Sequence, residues 1–289
     1  MKKILVTGAE GFFASRFIEY YKNEFDIVSL NKKNLDITKE ESIEQIKYIN
    51  PDYVVHAAAI SDTGLCERNP ELSYKVNVEG SINVAKGCHV SKSKLIYLSS
   101  DQVYNGNIQS GPYSEECIAM PNTVYGKHKI EAENLIEKIV DDAVILRLTW
   151  LFSLPERKKK VNSNIIWNIV KAAITNESIS LPANEYRGIT YVYDLIQNFS
   201  KIINIPGGIY NAGSENSLST YDIGKFIIEQ MALSNRVEDT LIKDADRYKD
   251  CKRDLRISNK KLNNIDISFP DTQEAISNCL EEFSYLNLK

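Results

Sequence analysis

Tyr125 and Lys129 stand four residues apart in Thr123-Val124-Tyr125-Gly126-Lys127-His128-Lys129. On a helix that spacing places a phenol and an ammonium on one face. A phenol of ordinary pKa, about 10, is a poor acid or base at neutral pH, and an adjacent cation is expected to favour the phenolate and bring it toward working range. Tyr125 could then give a proton to a carbonyl oxygen as hydride reaches the carbonyl carbon, while Lys129 holds a nicotinamide ribose. Y-x-x-x-K alone is a weak signal in a chain with 16 tyrosines. Ser99-Ser100 strengthens it, because a serine hydroxyl at a strand end can hydrogen-bond a substrate carbonyl and the oxyanion that develops from it.

A second constellation lies at the start. Ile4-Leu5-Val6 runs into Thr7-Gly8-Ala9-Glu10-Gly11-Phe12-Phe13-Ala14, with the spacing T-G-x-x-G-x-x-A. Gly8 permits a tight turn, Gly11 lets a pyrophosphate approach the backbone at a helix N-terminus, and Ala14 allows close helix-on-strand packing. Gly8, Glu10, Gly11 and Phe12 are therefore expected to cradle a dinucleotide. An NAD-preferring site usually carries an acidic residue at the end of the second strand for the ribose 2′-hydroxyl. Here that strand ends Ser29-Leu30 and continues Asn31-Lys32-Lys33, with no carboxylate between Asp26 and Asp36. Asn31 and Lys32 are the expected contacts on this side. Lys32 and Lys33 can neutralise a 2′-phosphate, so NADPH is the expected cofactor, with NADH left open. Plain solvation of both lysines is the competing reading.

The elements that must position these groups are legible as short Val- and Ile-rich runs, each followed by a polar stretch of helical period. Strands are expected at Ile4 to Thr7, Ile27 to Leu30, Tyr53 to His56, Leu95 to Ser99 and Ala143 to Leu148. Helices are expected at Phe12 to Tyr21, Lys39 to Tyr48, Pro70 to Cys88 and Thr123 to Ile139. Such alternation means βαβ units and a parallel sheet. The expected fold is α/β, a Rossmann-type doubly wound parallel sheet with a smaller C-terminal α/β substrate lobe. Residues 1–152 would bind the dinucleotide and 153–289 would form the lobe, with about 181–213, including Gly208 to Ala212, returning to the main sheet.

Composition narrows the partners. The chain has 289 residues, 43% hydrophobic, with 35 basic and 39 acidic side chains and a net charge of -4, which argues against a nucleic-acid partner. The basic run Arg157-Lys158-Lys159-Lys160 reads as a solvated loop. No apolar stretch approaches the ~18 residues of a membrane span. Five cysteines without C-x-x-C spacing point to free thiols in a reducing cytoplasm. His89 and His128 have no partner at metal-ligand spacing, and His56 reads as a packed strand-end residue rather than a base.

Together the T-G-x-x-G-x-x-A turn, His56-Ala57-Ala58-Ala59, Asn77-Val78-Glu79-Gly80, Ser99-Ser100 and Tyr125 with Lys129 resemble the extended short-chain dehydrogenase/reductase family over nearly the whole chain. The resemblance implies Ser100, Tyr125 and Lys129 as the catalytic trio, with Tyr125 and Lys129 also touching the cofactor. It further implies Asp36-Ile37 on the adenine side and Ala57, Ala58 and Ala59 along the cofactor. Sugar-nucleotide 4,6-dehydratases of this family need an Asp-Glu pair after the catalytic hydroxyl residue. Here Asp101 is followed by Gln102, which cannot titrate.

Ser99-Ser100-Asp101-Gln102-Val103-Tyr104-Asn105-Gly106 is instead similar to the S-T-D-Y-V-F-D-G stretch of the dTDP-4-dehydrorhamnose reductases. Leu35 to Thr38, Cys66 to Glu71, Leu146 to Phe152 and Gly188 to Leu195 agree with that group. The resemblance implies reduction of the 4-keto group of a nucleotide-linked 4-keto-6-deoxyhexose, as in dTDP-L-rhamnose synthesis, with Asp101, Trp150 and Thr190 toward the substrate. Departures at Ile189, Gln102 and Ile60 to Gly64 leave the particular sugar and nucleotide open. Trp150 read as ordinary core, and Asp101 as a loop cap, are the bland alternatives. Arg187 and Arg253 are candidate diphosphate contacts or surface ion pairs. A homodimer is left open, and no metal ligand can be carried over. Two other readings stand: a C4 epimerase that holds NAD without net turnover, and a non-catalytic subunit similar to the one that regulates methionine adenosyltransferase.

Overall fold

The computed structural model describes residues 1–161 and 163–283. In chain order the strands are β1 (Lys3–Thr7), β2 (Asp26–Leu30), β3 (Tyr53–His56), β4 (Lys94–Ser100), β5 (Val144–Leu148), β6 (Trp150–Phe152), β7 (Ile179–Pro182), β8 (Glu185–Arg187), β9 (Ile189–Tyr191), β10 (Gly208–Ala212), β11 (Leu241–Asp244) and β12 (Arg253–Leu255). The helices used below are α1 (Phe12–Tyr21), α2 (Glu41–Ile49), α3 (Thr63–Arg68), α4 (Pro70–Tyr74), α5 (Gly80–Ser91) and α6 (Val124–Ile139).

Six strands form one sheet in the order β10-β5-β4-β3-β1-β2. The pairings β1–β2, β1–β3, β3–β4 and β4–β5 are all parallel. Ile4, Leu5 and Val6, Val54 and Val55, and Leu95 and Ile96 are fully buried, so these strands read as unbroken apolar runs rather than alternating ones. The chain leaves β1 toward β2 and then returns to place β3 on the other side. The order therefore reverses at β1, and the carboxyl ends of β1, β3 and β4 open onto the crevice where such sheets bind ligands. This is the α/β Rossmann-type arrangement.

Met1–Ile108, Glu115–Leu148 and Asn198–Asn211 form one compact unit. Its core joins Leu5, Val54, Leu95, Tyr97 and Ile145 of the sheet to Ile46, Val84, Ala132 and Ile136 of the helices. A second unit comprises Gln109–Ser114, Thr149–Gln197 and the described part of Ala212–Lys289. Its small parallel pairs are β7 with β11, β8 with β12 and β6 with β9. Of the strands in 181–213, β10 is the one in the six-stranded sheet; the others pair in these small sheets.

Two local features differ from the sequence expectation. The run Pro70 to Cys88 is not one α-helix. Lys75–Glu79 widens to a π-turn, with Gly80 N–H donating to the Lys75 carbonyl five residues back. The stretch Ile60 to Gly64 reads as a loop in the sequence, but its last two residues open α3, because the Asp62 carboxylate accepts the Leu65 N–H at 2.7 Å and caps the turn.

Candidate active site

The glycine turn is built for a close approach. Gly8 has φ +66, and a Cβ there would lie 2.8 Å from Ala58 Cα, so only glycine lets the β1–α1 turn lie against the β3 segment. Gly11 N–H donates to the Gly8 carbonyl at 2.8 Å. Gly11 caps α1 without any side-chain hydrogen bond to the first turn, leaving amides free of side-chain capping for an anion. The backbone fits a dinucleotide pyrophosphate, with Gly8, Gly11 and Phe12 as the residues that would hold it.

Behind the turn, Thr7 Oγ1 lies 2.7 Å from His56 Nδ1 and accepts the Ala58 N–H at 3.2 Å. His56 Nε2 is 3.0 Å from Ser81 Oγ. Burial drives the His56 pKa down to about 3, which keeps the ring neutral. The Asn77 amide, on the π-turn, accepts Ile60 N–H at 2.8 Å and donates to Ile60 O at 2.9 Å. Ala57, Ala58 and Ala59 are thus pinned from both ends.

At the end of β2, Asn31 Nδ2 donates to Glu10 Oε1 at 2.7 Å, and Asn31 Oδ1 accepts from Lys33 N and Asn34 N. A carboxylate is therefore tethered beside the lysines, a feature the linear sequence did not reveal. Asp36 accepts both the hydroxyl and the amide of Thr38, and the Thr38 hydroxyl is the main reason its carboxyl is held low, with Lys32 adding to the effect. The Asn83 amide donates to Ile37 O at 2.9 Å, which fixes the next residue.

Tyr125 and Lys129 are set by the start of α6. The Thr123 side chain caps it by accepting Gly126 N–H at 3.1 Å. A Cβ at Gly126 would fall 2.5 Å from the Gln102 carbonyl oxygen, so the helix seats directly on the turn Asp101–Tyr104. Lys129 Nζ donates to Leu98 O at 2.8 Å and Tyr97 Oη at 3.2 Å, and lies 5.7 Å from the Tyr125 ring centroid. Ser100 Oγ donates to Asp101 Oδ1 at 3.1 Å and accepts the Gln102 N–H. Asp101 is buried at 1% exposure.

The electrostatics correct one expectation. The Tyr125 pKa is not lowered by Lys129. Burial raises it, Asp101 and Cys66 add to the rise, and hydrogen bonding to Ser100 opposes it. Desolvation dominates because the ring is almost wholly enclosed. Tyr125 is thus a protonated phenol throughout the neutral range. Lys129 moves the other way: burial lowers it to about 8, with the Glu133 carboxylate opposing.

In the second unit, Trp150 pairs with Ile189 across β6 and β9, and the Arg187 guanidinium lies 4.8 Å from the Trp150 ring centroid. Thr190 is fully buried. Its hydroxyl is shared with Thr149 and accepts the Ser214 N–H at 2.6 Å, so it braces the strand beside Trp150. Arg253 donates to Glu185 at 2.8 Å and to the Tyr248 hydroxyl at 3.2 Å. Among the described residues no cluster of three or more metal-ligating side chains is found, and no helix is long and apolar enough to cross a membrane.

A dinucleotide cradle and a Tyr-Lys pair on the carboxyl edge of one parallel sheet define a reductase-type Rossmann protein. The chain belongs to the RmlD substrate binding domain family, which matches residues 1–285. It is 28% identical over 239 residues to the spore coat polysaccharide biosynthesis protein SpsK of Bacillus subtilis (strain 168), with 82% of each chain covered. It is 28% identical over 248 residues to the dTDP-4-dehydrorhamnose reductase of Aggregatibacter actinomycetemcomitans, again covering 82% of each. It is also 27% identical over 237 residues to methionine adenosyltransferase 2 subunit beta of Xenopus laevis, covering 77% of this chain and 70% of that one. In fold it is similar to the crystal structure of dTDP-4-dehydrorhamnose reductase (rfbD) from Bacillus anthracis str. Ames in complex with NADP, with TM-score 0.85, 24% identity and coverage of 98% and 99%.

Glu133 and Arg147 were missed by sequence reasoning. Glu133 follows Lys129 by four residues, and Arg147 interrupts the apolar strand Val144-Ile145-Leu146-Arg147-Leu148. An arginine inside a buried strand was the available signal.

Proposed function

We propose that the chain is an NADPH-dependent reductase of the 4-keto group of a nucleotide-linked 4-keto-6-deoxyhexose, with dTDP-4-dehydrorhamnose the leading substrate. The observation that carries this reading is the Tyr125 phenol, kept protonated by burial beside a lysine fixed on the Leu98 carbonyl. Membership of the RmlD substrate binding domain family and the 28% identity to a dTDP-4-dehydrorhamnose reductase support it.

NADPH, when bound, supplies the hydride. Gly8, Glu10, Gly11, Phe12, Asn31, Lys32, Asp36, Ile37, Ala57, Ala58, Ala59, Tyr125 and Lys129 are the proposed cofactor contacts. Tyr125 holds the proton that passes from Oη to the C4 oxygen as that oxygen gains charge. Ser100 steadies the same oxygen by a hydrogen bond. Lys129 keeps a positive charge close to the phenol, which makes the proton easier to surrender as charge develops. Asp101, Trp150 and Thr190 are proposed on the substrate side, Thr190 through its bracing of the strand that carries Trp150. The first unit is proposed to serve the cofactor and the second the sugar nucleotide. None of the five cysteines is in a disulfide, which supports a reducing, cytoplasmic setting.

The test is NADPH oxidation with dTDP-, GDP- and UDP-linked 4-keto-6-deoxy sugars, followed by the C4 configuration of the product. Stoichiometric NADPH consumption with at least one of them is expected. A protein that binds NADPH yet stays inert across the panel overturns the reading and favours a regulatory subunit. Interconversion of C4 isomers without net cofactor use favours an epimerase.

A further inference from the structure

Three consecutive residues of β4 engage three residues of α6 spaced four apart. The Leu98 carbonyl accepts from Lys129, the Ser99 hydroxyl donates to Glu133, and Ser100 acts on the Tyr125 phenol, opposing the rise in its pKa. Tyr125, Lys129 and Glu133 therefore share one helix face, and the third of them has no part in the chemistry described so far. We propose that Glu133 is a positioning residue for Lys129, a fixed carboxylate one turn along α6 that keeps the lysine charged and seated on the Leu98 carbonyl. The proposal rests on the role given to Lys129 above.

Glu133 is wholly buried, and a buried carboxylate persists only with strong partners. Arg147 supplies them. Its Nε lies 3.0 Å and its NH2 2.6 Å from Glu133 Oε2. Arg147 NH1 donates to Tyr104 Oη at 2.8 Å, and Tyr104 donates to Asn211 Oδ1 at 3.2 Å. The carboxylate is thus held directly from β4 and β5, and Arg147 is in turn fixed by the turn after β4, which is tied to β10. Stability alone is a weak reason for such a pair, since apolar residues of similar volume usually serve as well or better.

The surroundings of Lys129 supply a reason. Its own hydrogen bonds go to neutral groups, Leu98 O and Tyr97 Oη. The titratable or charged groups that face it are Tyr125 and Glu133 from α6, Tyr97 from β4, His56 from β3 and Cys66 from α3. His56 is neutral, and burial raises both the Cys66 thiol and the Tyr97 phenol. Glu133 is the carboxylate of the group, and its field opposes the burial that would strip the proton from Lys129. One carboxylate balances two buried cations, Lys129 and Arg147. Removing either member of the Glu133–Arg147 pair must therefore move Lys129 in opposite directions.

The experiment follows turnover against pH, together with the pH titration of 13Cε-lysine NMR signals in substrate-free protein, the Lys129 signal being assigned by its loss in Lys129→Met. Glu133→Gln is expected to shift the alkaline limb and the Lys129 titration acidward by about one pH unit, with about fivefold lower turnover at pH 8. Arg147→Gln is expected to shift both alkaline-ward, and Glu133→Asp to leave them near wild type. Parallel losses of thermal stability and turnover with both titrations unmoved would make the pair purely structural and overturn the proposal. If either single variant fails to fold, the double variant Glu133→Gln, Arg147→Gln decides. An acidward shift supports the proposal, because Glu133 is the nearer neighbour along α6, and a wild-type titration overturns it. Wild-type turnover in Lys129→Met would instead remove the underlying reading of Lys129. An inert Lys129→Met beside an unmoved Glu133→Gln titration removes only the present proposal.

Discussion

Thr7 Oγ1 and His56 Nδ1 meet at 2.7 Å, tying the carboxyl end of β1 to that of β3 across their shared register. The same Thr7 oxygen accepts the Ala58 amide. The glycine turn and the alanine segment are therefore held in one arrangement before any cofactor arrives.

This contact predicts acid sensitivity. The His56 pKa is about 3 in the folded chain against 6.5 ordinarily, so the unfolded state binds the extra proton between those values. Stability is full above about 6.5 and lost as pH falls, by roughly 2 kcal/mol at pH 5. Asp194, raised to about 7 by burial near Glu274 and Glu282, acts with the opposite sign over the same window. The measurement is therefore comparative: urea midpoints at pH 7.5 and 5 should differ less favourably for wild type than for His56→Gln. Equal slopes in the two proteins would refute the assignment.

Gly126→Ala should separate folding from catalysis. Its Cβ would sit 2.5 Å from the Gln102 carbonyl oxygen, and relieving that overlap costs about 1–3 kcal/mol. The first turn of α6 would have to lift, carrying Tyr125 with it. We expect a lower Tm and at least about a tenfold loss of kcat, with cofactor Kd nearly unchanged. An unaltered kcat would mean that the seating of α6 on the turn does not matter for turnover.

Tyr125→Phe removes the proton and keeps the ring. Turnover should fall by about 10²–10⁴, while NADPH binding, read by fluorescence titration, stays within a few-fold of wild type. Retained activity would assign the proton to another group.

Cofactor choice should follow local charge of both signs. Lys32→Ala with Lys33→Ala is expected to weaken NADPH binding by about tenfold, a loss of ~1.4 kcal/mol, and to leave NADH nearly unaffected. Glu10→Gln, which keeps a side-chain oxygen to accept from Asn31, should tighten NADPH several-fold. Calorimetric Kd values for both nucleotides check this, and identical responses to the two would exclude a 2′-phosphate contact at this edge.

The sequence carried the fold where local pattern suffices. Apolar runs with intervening helical periods located β1 to β5, and the spacings Gly8/Gly11 and Tyr125/Lys129 are properties of single turns. Burial is not local. Whether Lys129 would lower Tyr125 depended on how completely β4 and the turn Asp101–Tyr104 enclose the ring, and desolvation reversed the expected direction. The Glu133–Arg147 pair needed α6 and β5 to be brought together beside Ser99, a proximity no spacing in the chain encodes. Asn31 was expected at the cofactor edge, but its bond to Glu10 appears only when the β1–α1 turn and the end of β2 converge.

The π-turn Lys75–Glu79 has a consequence for tolerated changes in length. Restoring a regular helix there would require deleting one residue, and each residue in an α-helix advances the chain by about 100° and 1.5 Å. Gly80 and Gly87 lie against Ile37 and Ile46, where a Cβ on either would come within 2.8 Å of an isoleucine carbon. A single deletion in this stretch would rotate bulkier neighbours into those two contacts while removing Asn77 from Ile60. The widened turn acts as a phase adjuster, letting one continuous helical rod satisfy the cofactor edge at its start and the sheet at its end.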